Sequence, residues 1–262
     1  MPVLYEKRGS IGLVTLSRPQ SRNCWGEDFA QGLLERFSAL AKDDDIHCAV
    51  LTGDEAGKAF CAGANLKDPN THTVESAAAF IKGIPAFRDF VVNVLHDFPK
   101  PVIAAVNGYA IGVGCIMTFC CDLVVASDRA EWRLTQSQLG ILPAYGATAR
   151  LARWIGKANA MKLSLGFPVK ADEALRNGLA QWVVPHASLM QEAFSVAEHI
   201  AAQPPLAPRL VKESMNSGLD IPSLADAALA DVYRFMALEL TEDKKEGHTA
   251  WRERRPPRFH GR

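Results

Sequence analysis

Nowhere in the 262 residues does an apolar run reach the ~18 residues that a membrane-crossing helix needs, so no membrane partner is expected. There is no surplus of either charge. Lys+Arg and Asp+Glu both total 29, which leaves no global basic field to attract nucleic acid; an anionic ligand must be held by local groups. The six cysteines (Cys24, Cys48, Cys61, Cys115, Cys120, Cys121) form no CxxC pair and have no His-x3-His companion. They read as reduced, mostly buried thiols, with no metal site and no cofactor of the protein's own. Met1 to Glu6 lacks the basic-then-apolar layout of a secretion signal, and the reduced thiols read as those of a cytoplasmic protein. Low-complexity tracts and fixed-period repeats are missing as well. What is present is 48% hydrophobic residues, enough for a sizeable core in one large domain or one domain with an appendage.

Ile11 to Leu16 is β-branched and aliphatic and reads as a strand ended by Arg18-Pro19. Asp28 to Lys42 places Phe29, Leu33, Leu34, Phe37, Leu40 and Ala41 at helical spacing. Cys48 to Thr52 and Val102 to Val106 are short apolar runs closed by Gly53-Asp54 and Asn107-Gly108, the form of buried strands. Cys115 to Cys121 reads as a short helix, Leu123 to Ala126 as a strand, Asn159 to Leu165 and Ala171 to Asn177 as helices, and Trp182 to Val184 as a strand. Alternation of this kind predicts an α/β core. From Leu189 the pattern is helical, with breaks expected at Pro204-Pro205, Pro208 and Pro222; the tail Arg254 to Arg258 is too rich in proline for regular structure.

Two segments carry the chemistry. Lys58-Ala59-Phe60-Cys61-Ala62-Gly63-Ala64-Asn65-Leu66-Lys67-Asp68 has small residues around Gly63, so a ligand can approach the backbone; taken alone it reads better as a tight turn. Lys100 to Cys115 takes a buried strand through Gly108, Gly112 and Gly114 into a helix. Amides at such a helix start are unpaired and suit an oxyanion or a phosphate. The glycine spacing is not the GxGxxG of a dinucleotide site.

Together these segments resemble the enoyl-CoA hydratase/isomerase, or crotonase, superfamily. So do Arg18-Pro19 with Asn23, Cys121-Asp122, Leu139-Gly140-Ile141-Leu142-Pro143, Trp154 to Ala158 and Arg255-Pro256-Pro257-Arg258-Phe259. The resemblance spans nearly the whole chain. It implies an α/β fold in which a crotonase-like spiral of ββα units (residues 1–200) carries an acyl-CoA site and a helical region (201–262) builds a homotrimer or a dimer of trimers. It implies an acyl-CoA thioester as partner, with coenzyme A arriving as part of the substrate, and an oxyanion hole made of the Ala64 and Val113 N–H groups. The family often has glycine where Val113 stands, but any residue except proline keeps the donor. For coenzyme A it implies Lys67, backbone contacts from Ala62, and Trp251 and Arg254 reaching a neighbouring subunit's ligand. Arg22 is a further phosphate candidate; Arg22 and Arg254 read equally well as solvated surface, and Lys58 as loop support.

The chain departs from its family at the acid/base pair. Hydratases of this kind use two glutamates; here their positions hold Ile116 and Gln136, and the alternative carboxylate position after the Leu139 to Pro143 turn holds Ala144. Isoleucine moves no proton, and a glutamine amide orients a partner without titrating. Replacement groups are weak candidates. Tyr145 could donate a proton but reads better as a pocket-lining ring. His72 and Glu75 lie in a segment that reads as solvated loop, and Asp68 as a surface or capping carboxylate. Cys61 and Cys115 read as buried thiols and Asp122 as a pairing group. Two functions stay open: an enzyme that stabilises a thioester enolate, decarboxylases and thioesterases included, and a non-catalytic acyl-CoA binding protein.

Overall fold

The computed structural model describes residues 2–67, 76–79, 81–82 and 91–262. In chain order these form β1 (Val3–Arg8), β2 (Ile11–Leu16), α1 (Glu27–Lys42), β3 (Cys48–Gly53), β4 (Ala59–Cys61), α2 (Val91–Asp97), β5 (Val102–Val106), β6 (Tyr109–Ile111) and α3 (Val113–Thr118). Then come β7 (Leu123–Ser127), β8 (Glu131–Arg133), α4 (Ala147–Ile155), α5 (Lys157–Ser164), β9 (Val169–Lys170), α6 (Ala171–Asn177) and β10 (Trp182–Val184). Four helices finish the chain: α7 (Leu189–Ala201), α8 (Leu206–Gly218), α9 (Leu224–Glu239) and α10 (Glu242–Glu253).

From β3 to β8 the chain deals its strands alternately to two sheets. One has the order β1-β2-β3-β5-β7-β10, the other β4-β6-β8-β9. The pairs β3/β4, β5/β6 and β7/β8 each leave one strand in the large sheet and the next in the small one before a helix returns, which is a ββα spiral. Strands β2, β3, β5, β7 and β10 run parallel, and β1 closes the edge antiparallel to β2.

The large sheet is covered on both faces, which is why its strands read as unbroken apolar runs. Val14, Leu16, Ala49 and Leu51 face the main core with α1 and α3, while Ile11, Leu13, Cys48 and Val50 face α7. Helix α7 answers with Leu189, Ala193, Ala197 and Ile200, one stripe at helical spacing. Helix α8 is pinned to this body by Lys212, which is buried. Its Nζ lies 2.8 Å from Asp122 and donates to Leu95 O and Lys100 O at 3.2 Å. Asp122 also accepts from Val102 N at 2.7 Å, so it pairs inside the fold as its sequence context suggested. Helix α9, in contrast, buries none of its residues. No helix among the described residues is long and apolar enough to cross a membrane.

Several local expectations shift. The helix expected at Cys115 to Cys121 is α3, which starts at Val113 because Gly112 (φ 56) makes the turn that the preceding strand could not. That preceding strand is β6, a separate element inserted between Gly108 and Gly112, to which the sequence pattern assigned no strand of its own. Strand β1 went unread because five of its six residues are exposed and Glu6, Lys7 and Arg8 mask the pattern. Pro208 does not break a helix; it stands in the first turn of α8, where its missing N–H has no intrahelical partner to lose.

The tail after α10 has no regular structure, yet it is tied down. Arg255 pairs with Glu246 at 2.6 Å, Arg258 N donates to Glu246 Oε1 at 2.8 Å, and the Asp243 carboxylate accepts from His260 N and Gly261 N at 2.7 Å. The Arg255 guanidinium, then the Arg258 amide, hold the Glu246 carboxyl down at about 2. A carboxyl depressed in the folded state contributes stability above its unfolded pKa and loses it as pH falls towards the folded one. The tail should therefore release between about pH 4.5 and pH 2, before the core melts. Amide exchange at Arg258 against pH checks this, and Glu246→Gln should remove the dependence.

Candidate active site

Strands β4 and β6 pair in parallel, with Ala59 opposite Tyr109 and Cys61 opposite Ala110. That pairing carries the two segments singled out in the sequence to the same edge of the small sheet. Beyond it the backbones touch. A side chain on Gly63 (φ 85) would begin 2.9 Å from Ile111 O, and one on Gly112 would begin 3.8 Å from Gly63 Cα. Gly114, the second residue of α3, sits on β4, where a Cβ would lie 2.2 Å from Cys61 O. The atom in the way is backbone, so it cannot swing aside. Gly114→Ala should cost about 1–3 kcal/mol or more by forcing α3 off β4, and a thermal melt reads this directly. Gly218 has open space before it and should accept alanine without loss.

A third segment fixes the first loop. Asn23 is fully buried; its side chain accepts from Arg18 N at 2.9 Å and donates to Asp54 O at 3.1 Å and Ala59 O at 2.8 Å. Trp25 then bridges the loop beside Ala64: its N–H donates to Gly63 O at 2.8 Å and its carbonyl accepts from Asn65 N at 3.3 Å. Ala62 N is taken by Arg22 O at 3.2 Å. On the other side Gly112 N donates to Arg133 O at 2.8 Å. The Ala64 and Val113 amides are left over. Both residues are half-buried, and neither N–H donates to an acceptor among the described residues.

The surroundings of these amides are short of proton carriers. Ile116 is 2% exposed and packs in the main core. Gln136 opens the short turn Gln136–Leu139; its Nε2 lies 3.7 Å from where a side chain on Gly112 would begin, and its Oε1 is buried without a partner. Tyr145 (φ 60) packs half-buried against the core, and burial raises its hydroxyl pKa. Burial pushes the Cys61 thiol up to about 12 and the Cys115 thiol higher still, so both are inert at neutral pH. Among the described residues no group of three or more His, Cys, Asp or Glu side chains is placed to hold a metal.

A cationic rim borders the first loop. Arg22 and Lys67 are exposed. Burial raises the Cys24 thiol, and Arg18, Arg22 and Lys67 pull against that rise, which places three cations around this one side chain. Arg18 is already engaged with Asp28 and with Cys24 O, so Arg22 and Lys67 are the rim's available charges. Lys58 is exposed in a left-handed turn (φ 51) ahead of β4. Trp251, 82% exposed, and Arg254 lie at the end of α10; no hydrogen bond, ion pair or ring contact joins either to the two loops among the described residues. Asp68, His72 and Glu75 fall outside the described residues. The contributions of Asn23 and Trp25 were not readable as site-building, since their partners are backbone groups some 30 or more residues away.

The family model for enoyl-CoA hydratase/isomerase matches residues 6–262. The chain belongs to the enoyl-CoA hydratase/isomerase family. It is 38% identical over 264 residues to an (E)-benzylidenesuccinyl-CoA hydratase of Thauera aromatica, covering 100% of both chains. It is 36% identical over 257 residues to a short-chain-enoyl-CoA hydratase of Clostridium acetobutylicum, covering 97% of this chain and 95% of the relative. Among solved structures, an enoyl-CoA hydratase of Bacillus anthracis superposes with a TM-score of 0.92 over 100% of both chains, at 29% identity. The two-sheet spiral with its C-terminal helices is thus the crotonase fold, and the chain is an acyl-CoA-processing member of this family.

Proposed function

We propose that this family member holds the carbonyl oxygen of an acyl-CoA thioester between the Ala64 and Val113 N–H groups and stabilises the enolate formed there. One observation carries the reading: two half-buried amides, on loops whose glycines lie against each other, have no protein acceptor among the described residues. Each donor fixed on a developing oxyanion is worth about 3 kcal/mol of barrier. Ordinary hydration also needs a titrating pair, and Ile116 with Gln136 supplies none. The reaction is then one that tolerates their loss: isomerisation, thioester hydrolysis, slow hydration, or decarboxylation, in which departure of CO2 gives the enolate without a base. Tyr145 is the candidate proton donor. The two relatives are named as hydratases of acyl-CoA substrates, which supports the thioester ligand.

Coenzyme A would cross the rim of Arg22 and Lys67, with Ala62 against the adenine and Trp251 and Arg254 supplied to a neighbouring subunit's ligand. The helical region 201–262 would make that neighbour. Val211, Met215, Leu219, Val232, Tyr233 and Phe235 are exposed along α8 and α9, the kind of apolar surface that an assembly covers. We read the assembly as a trimer or a pair of trimers and, from the free thiols, place it in the cytoplasm.

The same pair of replacements favours a second reading, a carrier that binds acyl-CoA without turning it over. Offering the protein crotonyl-CoA and a panel of acyl-CoAs, with thioester absorbance and binding heat as readouts, separates the two. Turnover of some ester supports the enzyme; tight binding without turnover across the panel supports the carrier. Crotonyl-CoA hydration as fast as that of a hydratase with both glutamates would overturn the claim of altered chemistry.

A further inference from the structure

A cluster of polar side chains away from the two loops joins the carboxyl ends of the parallel strands β3, β5, β7 and β10. His186, just past β10, has a side chain only 17% exposed and holds a partner on each ring nitrogen. Its Nε2 lies 2.6 Å from Glu55 Oε1, in the short turn Glu55–Gly57 after β3, and its Nδ1 lies 3.0 Å from Oγ of Ser127, the last residue of β7. Asp128 accepts from His186 N at 3.0 Å. The second Glu55 oxygen accepts from Asn107 Nδ2 at 3.5 Å, at the end of β5. Acid, imidazole and hydroxyl in a row is the order of a hydrolytic triad, but Ser127 is fully buried and no substrate reaches it. The turn that the imidazole grips is instead the common footing of both loops. A Cβ at Gly57 would lie 2.7 Å from Asn23 Nδ2, the side chain that ties down the first loop. A Cβ at Gly108 would lie 2.6 Å from Lys58 O, so the second segment starts against the end of the same turn.

On this geometry we infer that His186 is a positioning residue for the Ala64 and Val113 amides, acting through Glu55. The inference rests on the thioester reading above and deepens it. A carboxylate only accepts, so Nε2 is the donor of this contact. The Ser127 hydroxyl on the opposite nitrogen fixes which edge of the ring faces Glu55. Glu55 is 68% exposed, so without the imidazole its side chain swings into water and lets go of Asn107 as well. The turn then loses its tie to β10 and to the end of β5, and both loops rest on that turn. Donors stabilise an oxyanion only when they are fixed before the charge arrives, so a small displacement of the footing weakens the pair together.

The test is isotope-edited infrared spectroscopy of butyryl-CoA, labelled at its thioester carbonyl and bound to the whole protein. Two hydrogen bonds on that oxygen lower its stretching frequency in wild type. Glu55→Ala, at an exposed position that folding does not depend on, and His186→Ala should both shrink this downshift, while calorimetry shows the affinity falling by no more than about tenfold. Two further variants separate the ring's contacts. His186→Gln carries an N–H near the place of Nε2 and should restore the wild-type downshift; His186→Asn carries its amide near the place of Nδ1 and should behave as His186→Ala. A full downshift in Glu55→Ala or His186→Ala would overturn the assignment while the acyl-CoA site stands. A downshift kept by His186→Asn, or lost in His186→Gln, would reduce the imidazole to packing and overturn it as well. Wild type that fails to bind butyryl-CoA, or binds it without lowering the stretch, would remove the oxyanion hole itself, and this inference with it.

Discussion

Val113→Pro should leave a folded protein whose turnover of its acyl-CoA falls by about 10²–10³-fold, the loss that follows removal of one oxyanion donor. The substitution is unusually clean here. Val113 is the first residue of α3, a position where proline removes no intrahelical bond and its ring torsion already suits a helix. The N–H it removes has no acceptor among the described residues, so folding loses nothing that the fold was using. Circular dichroism and melting temperature should therefore stay close to wild type while the chemistry goes. Val113→Ala keeps the amide and should keep the activity, which separates the donor from the side chain. If Val113→Pro folds and works at the wild-type rate, the Val113 amide is not part of the hole.

The second expectation is a gain. Ile116→Glu combined with Gln136→Glu should bring hydration of crotonyl-CoA into the measurable range, because a placed acid or base contributes about 10²–10⁴-fold. The two sites would not behave alike. Ile116 is buried among hydrocarbon, so a carboxyl there is driven towards its neutral, proton-donating form and costs stability. Position 136 stands beside Gly112 and is half-buried, so a carboxyl there ionises more readily than one at 116 and can act as base, although its buried oxygen raises its pKa as well. The double variant's rate should rise with pH as the group at 136 loses its proton, and the single Ile116→Glu variant should lack that limb. Loss of crotonyl-CoA absorbance at several pH values measures both. A folded double variant without hydration would mean that the acyl pocket has diverged along with its carboxylates.

Much of the scaffold could be read from side-chain pattern alone. Strands β2, β5 and β10 and helix α6 fall where their runs begin and end, because strands buried on both faces and a helix closed by Gly178 leave sharp edges in a sequence. The weak elements were the ones whose stability comes from elsewhere. Strand β1 is polar and exists by pairing with β2; β6 is three residues of Tyr-Ala-Ile held between β4 and β8. Neither carries a period long enough to show.

The site divides along the same line. Residue chemistry is a one-dimensional fact: that Ile116 and Gln136 cannot titrate, that Cys24 to Cys121 form no metal motif, and that glycines fall at 63, 112 and 114 follow from the letters. Which amides are left free is not, because a backbone N–H is the same group at every residue but proline, and its availability depends on what long-range pairing consumes. The fold spends Ala62 N on Arg22 and Gly112 N on Arg133, and leaves 64 and 113 unspent. It also buries Gln136 Oε1 with nothing to bond, a vacancy that no sequence pattern encodes.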